Sequence, residues 1–140
     1  MITSTSNAQI KELAKLQKKS RLRDEKGIFL VEGPRMTEEI PAERIEKVYA
    51  SESFAKKNKE FLEKLQAPVE LLTDTVFAYV SDTKTPQGIL AIVKRLNYTM
   101  NDLMQMKNQK APHLVVLDNL QDPGNLGTIF RTAEAAGVTG

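Results

Sequence analysis

The chain has 140 residues, 41% of them hydrophobic and 27% charged, with a net charge of +2, proportions that belong to a folded globular protein rather than a disordered one. It has no cysteine, which excludes disulfides, thiolate nucleophiles and cysteine-bound metals, and its single histidine, His113, excludes a histidine-rich metal cluster and argues against a Ser-His-Asp triad. No apolar run approaches the ~18 residues of a membrane span and the N-terminus lacks a signal-peptide core, so a soluble, cytoplasmic protein with no membrane or metal partner is expected.

Charge is unevenly spread. Residues 1–30 hold seven basic and three acidic side chains, the remainder thirteen and fifteen, which points to a local polyanion contact at the N-terminal end. Ser6-Asn7-Ala8-Gln9 fits a capping box with Ser6 as the cap. It opens a helix to about Lys19, built on a narrow apolar stripe of Ile10, Leu13 and Leu16. Lys11, Lys15, Lys18 and Lys19, then Arg21, Arg23 and Lys26, surround that stripe. Two readings stand: a solvated surface helix, or an arm whose cations displace counterions from phosphates.

Residues 27–33 (GIFLVEG) read as a buried strand between glycines. Pro34 opens a short helix to about Ile40 with Glu38 and Glu39 outward, and Pro41 stops it. Residues 45–50 alternate apolar and charged, the pattern of a strand with one wet face. Ser51 or Ser53 caps a helix to about Leu65 that buries Phe54, Phe61, Leu62 and Leu65. Residues 69–72 form a short strand, and Thr73 caps a turn or two of helix holding Val76, Phe77 and Val80. These aromatics sit at helical spacing and read as core, because base-stacking aromatics more often occupy an exposed sheet. Residues 81–88 are a polar loop, in which Lys84 and Gln87 are given no special role, and residues 89–93 are the last strand. Four strands alternating with helices make residues 1–96 a compact α/β sandwich.

Residues 97–112 read as a linker with a short helix from Asn101 to Met106, its methionines filling gaps. Residues 114–117 are an apolar run with two valines, the pattern of a strand buried on both faces. Residues 118–125 read as a tight loop with Pro123-Gly124 at the centre of a type II turn. A helix then begins at Leu126, with Leu126, Ile129, Phe130, Ala133 and Ala136 on one stripe, Gly137 at its C′ position and Val138 opening a further strand. Asn125 is its N-cap on this reading. Arg131 lies roughly 140° round from Leu126 at about 100° per residue, so it points away from the packed face, to pair with Glu134 or to meet a ligand. A loop leaving a strand and feeding a helix N-terminus favours an anion, but this one is neither a Walker loop nor a G-x-G-x-x-G turn.

Residues 122–137, DPGNLGTIFRTAEAAG, resemble the first signature motif of the SpoU (TrmH) family, RNA 2′-O-ribose methyltransferases of the SPOUT superfamily. Asn7 and Ile10-Lys11, the run F-L-V-E-G-x-R at residues 29–35, and the loop at 81–88 resemble that family's N-terminal substrate-binding domain. The resemblance implies a ribosomal-protein-like RNA-binding fold for residues 1–96, followed at residues 113–140 by the opening βα unit of a knotted α/β methyltransferase domain. It places Asn125 and Arg131 in the catalytic site, and RNA on Lys11, Lys15, Lys18, Lys19, Arg21, Arg23 and Arg35. It further implies S-adenosylmethionine as methyl donor, held by two later motifs that this sequence does not contain, and a homodimer built through the knotted domain.

Such a catalytic domain takes on the order of 150 residues. The chain is therefore expected to be an N-terminal fragment that binds ribosomal or transfer RNA without catalysing alone. Arginine stays protonated near neutrality, so Arg131 is expected to position and stabilise rather than to act as a base. A stand-alone, non-catalytic RNA-binding module is the alternative. A small nucleotide-binding protein is weaker, because the loop lacks a lysine.

Overall fold

In the computed structural model, which describes residues 1–105 and 111–140, the first helix is opened by Asn7, whose Oδ1 accepts the Gln9 amide at 2.9 Å. The capping box expected on Ser6 does not form. Ser6 is bonded to the Ser4 hydroxyl instead, and asparagine one position later has the side-chain carbonyl to serve the first-turn amide. Helix α1 spans Ala8–Lys18 and buries Ile10, Leu13, Ala14 and Leu16. The chain then turns into a second helix, α2 (Ser20–Lys26), which the sequence did not announce because Leu22 is its only apolar contact with the core. Arg23 donates from its guanidinium to the carbonyls of Leu16 and Gln17, closing the open end of α1. Gly27, at φ 62°, ends α2.

Four strands, β1 (Ile28–Glu32), β2 (Ile45–Ser51), β3 (Val69–Leu72) and β4 (Ile89–Lys94), form one sheet in the order β1-β4-β2-β3. β4 runs antiparallel to both β1 and β2, while β2 and β3 are parallel. β4 is buried at five consecutive positions, residues 89–93, because the sheet is covered on both sides. On one face α1, Leu22 of α2 and α6 (Asp74–Val80) enclose Ile10, Leu13, Tyr49, Phe77 and Leu90. On the other, α4 (Glu52–Lys57), α5 (Lys59–Lys64) and Ile40, just beyond α3 (Pro34–Glu38), enclose Val31, Val48, Phe54 and Ile89. The α/β sandwich expected from the alternation of strands and helices is the one formed.

Two details differ, each for a packing reason. The wet face expected over residues 45–50 is confined to Glu46 and Lys47, because α1 closes over that side and leaves Tyr49 only 4% exposed. The single helix expected from Ser51 to Leu65 is two, broken at Asn58, whose φ of −129° is not helical. Ser51 does cap the first of them, accepting the Phe54 amide at 3.2 Å. Phe54 and Phe61 meet edge-on across the break with ring centroids 5.9 Å apart.

Asp74, at the start of α6, accepts both the hydroxyl and the amide of Ser53. The Ser53 hydroxyl first, then its amide, hold this carboxyl below the ordinary value of 3.8. A carboxyl depressed in the folded state contributes stability above its unfolded pKa and loses it as pH falls through the lower folded value. Asp74→Asn should therefore shrink the loss of urea resistance between about pH 6 and about pH 3. An unchanged loss in the variant would show that the Ser53 clip carries no acid sensitivity.

The structure separates into two compact units, Met1–Arg95 and Leu96–Gly140. The second holds α7 (Met100–Met104), opened by a reciprocal capping box between Thr99 and Asp102, and α8 (Pro123–Ala135). Of the helix expected from Asn101 to Met106, Met106 lies outside the described residues. The strand expected at residues 114–117 is not formed. His113 and Val115 bond to Thr139 and Gly140 on one side only, at 2.7 and 3.0 Å, and Val116 is 89% exposed; a run patterned for two covered faces has neither within this unit. The end of α8 is as expected: Gly137 takes φ 74°, and the amides of Gly137 and Val138 reach the carbonyls of Glu134 and Ala133 at 3.0 Å, a Schellman motif.

Candidate functional site

The seven cations of residues 1–30 are not equivalent once folded. Arg21 pairs with Glu25 at 2.9 Å and Lys26 with Glu12 at 2.7 Å, and Arg23 is committed to the end of α1. The Glu12 carboxyl is held below its ordinary value by its hydrogen bond and charge contact with Lys26, whose own pKa is raised in return. Lys11, Lys15, Lys18 and Lys19 are exposed and make no ion pair among the described residues. At spacings of four and three, Lys11, Lys15 and Lys18 share one side of α1. The structure thus divides the predicted basic arm into four lysines outside any ion pair among the described residues and three cations already engaged, Arg21, Arg23 and Lys26.

Arg35 belongs to a different place. It is exposed on α3, just past Gly33, whose φ is 106°. The Gln87 side chain lies so close over Gly33 that a Cβ there would meet its Oε1 at 2.8 Å. Glu32 anchors the same corner: its Oε1 accepts the hydroxyls of Ser81 and Thr83 at 2.7 and 2.8 Å, while its buried Oε2 has no hydrogen-bond partner among the described residues. Gly88, at φ 82°, approaches Phe54 and Ser51 too closely for any side chain. Residues 29–35 and 81–88, far apart in sequence, are therefore folded onto one another beside Arg35. Glu32 was missed as the organiser of this corner; a charged residue ending an otherwise apolar strand run was the available signal.

In the second unit the sequence reading needs correction at the helix start. Pro123 and Gly124 are not a turn but the first residues of α8, with Asp122 as N-cap. Proline's fixed φ suits the first helical position. The Asp122 carboxylate accepts the amides of Gly124 and Asn125 at 3.3 and 3.0 Å, a cap worth about 1 kcal/mol. Asn125 is therefore not the cap. The helix end is also not an open anion cradle, because an aspartate of the chain already occupies those amides. What this frees is the Asn125 side chain, which makes no hydrogen bond among the described residues.

Arg131 is exposed and joins no ion pair with Glu134 among the described residues. It turns back along α8 toward the helix start, donating from Nη2 to Thr128 Oγ1 at 3.3 Å. It passes over Gly127, where a Cβ would stand 3.5 Å from Nη1, an ordinary contact that does not itself require glycine. The unpartnered Asn125 amide and an outward-facing guanidinium thus share the first two turns of one helix. Such a pair can hold a sugar hydroxyl and an adjoining phosphate oxygen, the guanidinium offering two parallel donors.

An S-adenosylmethionine molecule needs a cradle that encloses an adenosine, and among the described residues of this unit several large apolar side chains are open to solvent instead. Val116 is 89% and Phe130 63% exposed, and Leu117 and Leu120 each 40%, so its apolar side chains form no enclosing wall. Among the described residues no helix is long and apolar enough to cross a membrane, and no group of three or more acidic or histidine side chains is placed to hold a metal ion.

The profile of the MRM3-like substrate-binding domain matches residues 7–91. A 23S rRNA guanosine 2′-O-methyltransferase of Bacillus subtilis is 32% identical over 140 residues, covering 98% of this chain and 51% of its own length. The mitochondrial rRNA methyltransferase 3 of Homo sapiens is 33% identical over 132 residues, covering 86% of this chain and 30% of its own. Among solved structures, an RNA 2′-O ribose methyltransferase aligns with a TM-score of 0.64 at 30% identity, over 98% of this chain and 52% of that one. An AdoMet-bound rRNA methyltransferase from Sinorhizobium meliloti aligns with a TM-score of 0.69 at 26% identity, over 99% and 52%. The chain spans about half the length of the Bacillus subtilis relative and of both solved structures.

Proposed function

Because the chain belongs to the SpoU family of RNA methyltransferases and carries its MRM3-like substrate-binding domain at residues 7–91, we propose that it presents RNA for methylation of a ribose 2′-OH. Ribosomal RNA is the substrate class its relatives' names favour, S-adenosylmethionine is the donor, and the cytoplasm is the compartment. The observation that carries the reading is the Arg131 guanidinium, folded back over Gly127 to within 3.3 Å of Thr128 on the helix that bears the free Asn125 amide.

In this reading Arg131 binds a phosphate or ribose oxygen next to the reacting hydroxyl, and Asn125 orients the sugar. A protonated guanidinium cannot take the proton that the hydroxyl must lose, so its part is positioning and stabilisation of developing negative charge. The lysines of α1 and Arg35 are assigned to contacts with the RNA backbone. The methyl donor's cradle is assigned to protein outside these 140 residues, as is a homodimer contact, and no step is routed through either.

The test on this chain is RNA binding as a function of salt. Four phosphates neutralised on a single strand give a slope of log affinity against log salt of about −2.8, and each lysine removed lowers its magnitude by about 0.7. Lys11→Glu and Lys15→Glu should each flatten the slope by at least that much. A slope near zero in the unaltered chain would remove the RNA-binding reading. In a protein of the relatives' length carrying this segment, transfer of labelled methyl to a 2′-OH of ribosomal RNA tests the reaction itself.

A further inference from the structure

Between α1 and the sheet lies a cleft of 320 Å³ with the Glu12–Lys26 pair on its rim. That volume is at the lower end for a small-molecule site and suits one base. Its walls include Leu13, Leu16 and Ile92, and Tyr49 lines it. Tyr49 is 4% exposed, yet its hydroxyl has no hydrogen-bond partner among the described residues. Burial first, then the charges of Glu12, Glu70 and Glu46, push the Tyr49 phenol above its ordinary value, so it faces the cleft as a neutral donor.

The rim is charged but mostly self-satisfied. Lys26 is paired with Glu12 at 2.7 Å. Lys47 is bonded to Gln9 at 2.7 Å and stands 5.2 Å over the Tyr49 ring. Glu46 is the exception: it is exposed and makes no ion pair among the described residues. A register shift between Ile45 and Lys47 lets both Glu46 and Lys47 line the cleft, which regular alternation would forbid. On the far side of the Glu12–Lys26 pair a second groove holds Lys11 and Lys15. A buried apolar floor, a phenol whose hydroxyl opens to the cleft and a carboxylate outside any ion pair among the described residues thus adjoin two unpaired lysines.

We propose that this cleft takes one unpaired guanine base of an RNA strand, while Lys11 and Lys15 hold the flanking phosphates. The proposal rests on the RNA-binding reading and adds which base is read and where. Guanine presents two adjacent donors, N1–H and the exocyclic amine, which a single carboxylate accepts together, and beside them an O6 acceptor for the Tyr49 hydroxyl. Adenine in the same pose would turn an unprotonated ring nitrogen toward Glu46. Leu13 and Leu16, 1% and 3% exposed, form only the floor beneath the base, which is held by its edge, and the phosphates on either side fall in the neighbouring groove.

The probe is an eight-nucleotide uridine strand labelled at one end, carrying a central guanosine, adenosine or abasic site, titrated into the 140-residue chain by fluorescence anisotropy. The guanosine strand should bind roughly ten-fold or more tightly than the other two. Tyr49→Phe, which keeps the ring, and Glu46→Gln should each bring that preference within about two-fold while preserving the salt slope. Equal affinity for the three strands with a normal salt slope overturns the guanine site and leaves RNA binding standing, as does a preference that survives both variants. Guanosine 5′-monophosphate displacing the strand at the strand's own affinity would overturn the assignment to RNA. Failure of all three strands to bind overturns both readings.

Discussion

Phe77→Ala should lower the stability of the first unit by about 3–5 kcal/mol, the range for truncating a fully buried aromatic. Phe77 is 1% exposed on α6 and packs in the cluster that joins α1, Tyr49, Leu72 and Leu90. Removing the ring forfeits its burial and leaves a void that the sheet behind it is too constrained to fill. Domains of this size hold about 5–15 kcal/mol in total, so the variant would keep little reserve, and its thermal midpoint should fall by roughly 15–30 °C. Phe77→Leu, which retains most of the volume, should cost about 1.5 kcal/mol or less. Urea unfolding of the two variants decides the matter: a loss under about 1 kcal/mol for the alanine form would mean that α6 is not seated where the structure has it.

Arg131→Ala is expected to reduce turnover by about 10²–10³-fold in a protein of the relatives' length that carries this segment, the effect of deleting one preorganised donor from a site of developing negative charge. Binding of S-adenosylmethionine should be unchanged, since the guanidinium is directed along α8 toward Thr128 and Asn125. Arg131→Lys retains charge and loses the two-pronged donor geometry, so it should recover only part of the loss. Turnover within about three-fold of the parent would remove Arg131 from the reaction; equal losses in turnover and donor affinity would give it a structural part instead.

Much of the first unit was legible in the sequence because its strands are strong local signals. The apolar run at residues 89–93 and the glycine-bounded run at 28–32 read as strands before any pairing is known, and both are. Their order in the sheet was not legible, because nothing local to β4 says that it pairs with both β1 and β2. Helix α2 was missed for the opposite reason: it is held by ties distant in sequence, among them the Arg95–Asp24 and Lys26–Glu12 ion pairs, rather than by an apolar stripe.

At the second site, the identities of Asn125 and Arg131 came from a motif, whereas their geometry did not. Proline followed by glycine suits a turn and equally suits a first helical turn. What decides here is the Asp122 carboxylate, two residues before Gly124, which claims the amides that a turn would have left open. The split of the basic arm was likewise beyond periodicity. Whether an arginine is free or capping depends on where another helix ends, and Arg23 meets the carbonyls of Leu16 and Gln17 only once α2 has folded back.

The position of β4 also bears on how the protein is born. Among the described residues β1 has β4 as its only strand partner, yet the two lie about sixty residues apart in translation order. At roughly 5–20 residues per second the ribosome takes several seconds to bridge that gap. Throughout that interval the newly made Ile28–Glu32 segment lacks the strand it pairs with, and the helices made before it, α1 and Leu22 of α2, cover only the side that bears Ile28 and Leu30, leaving a target for chaperone capture. Completion of the sheet is consequently a late event in the life of the nascent chain, timed by the emergence of Ile89–Lys94, which joins β1 to the β2–β3 pair.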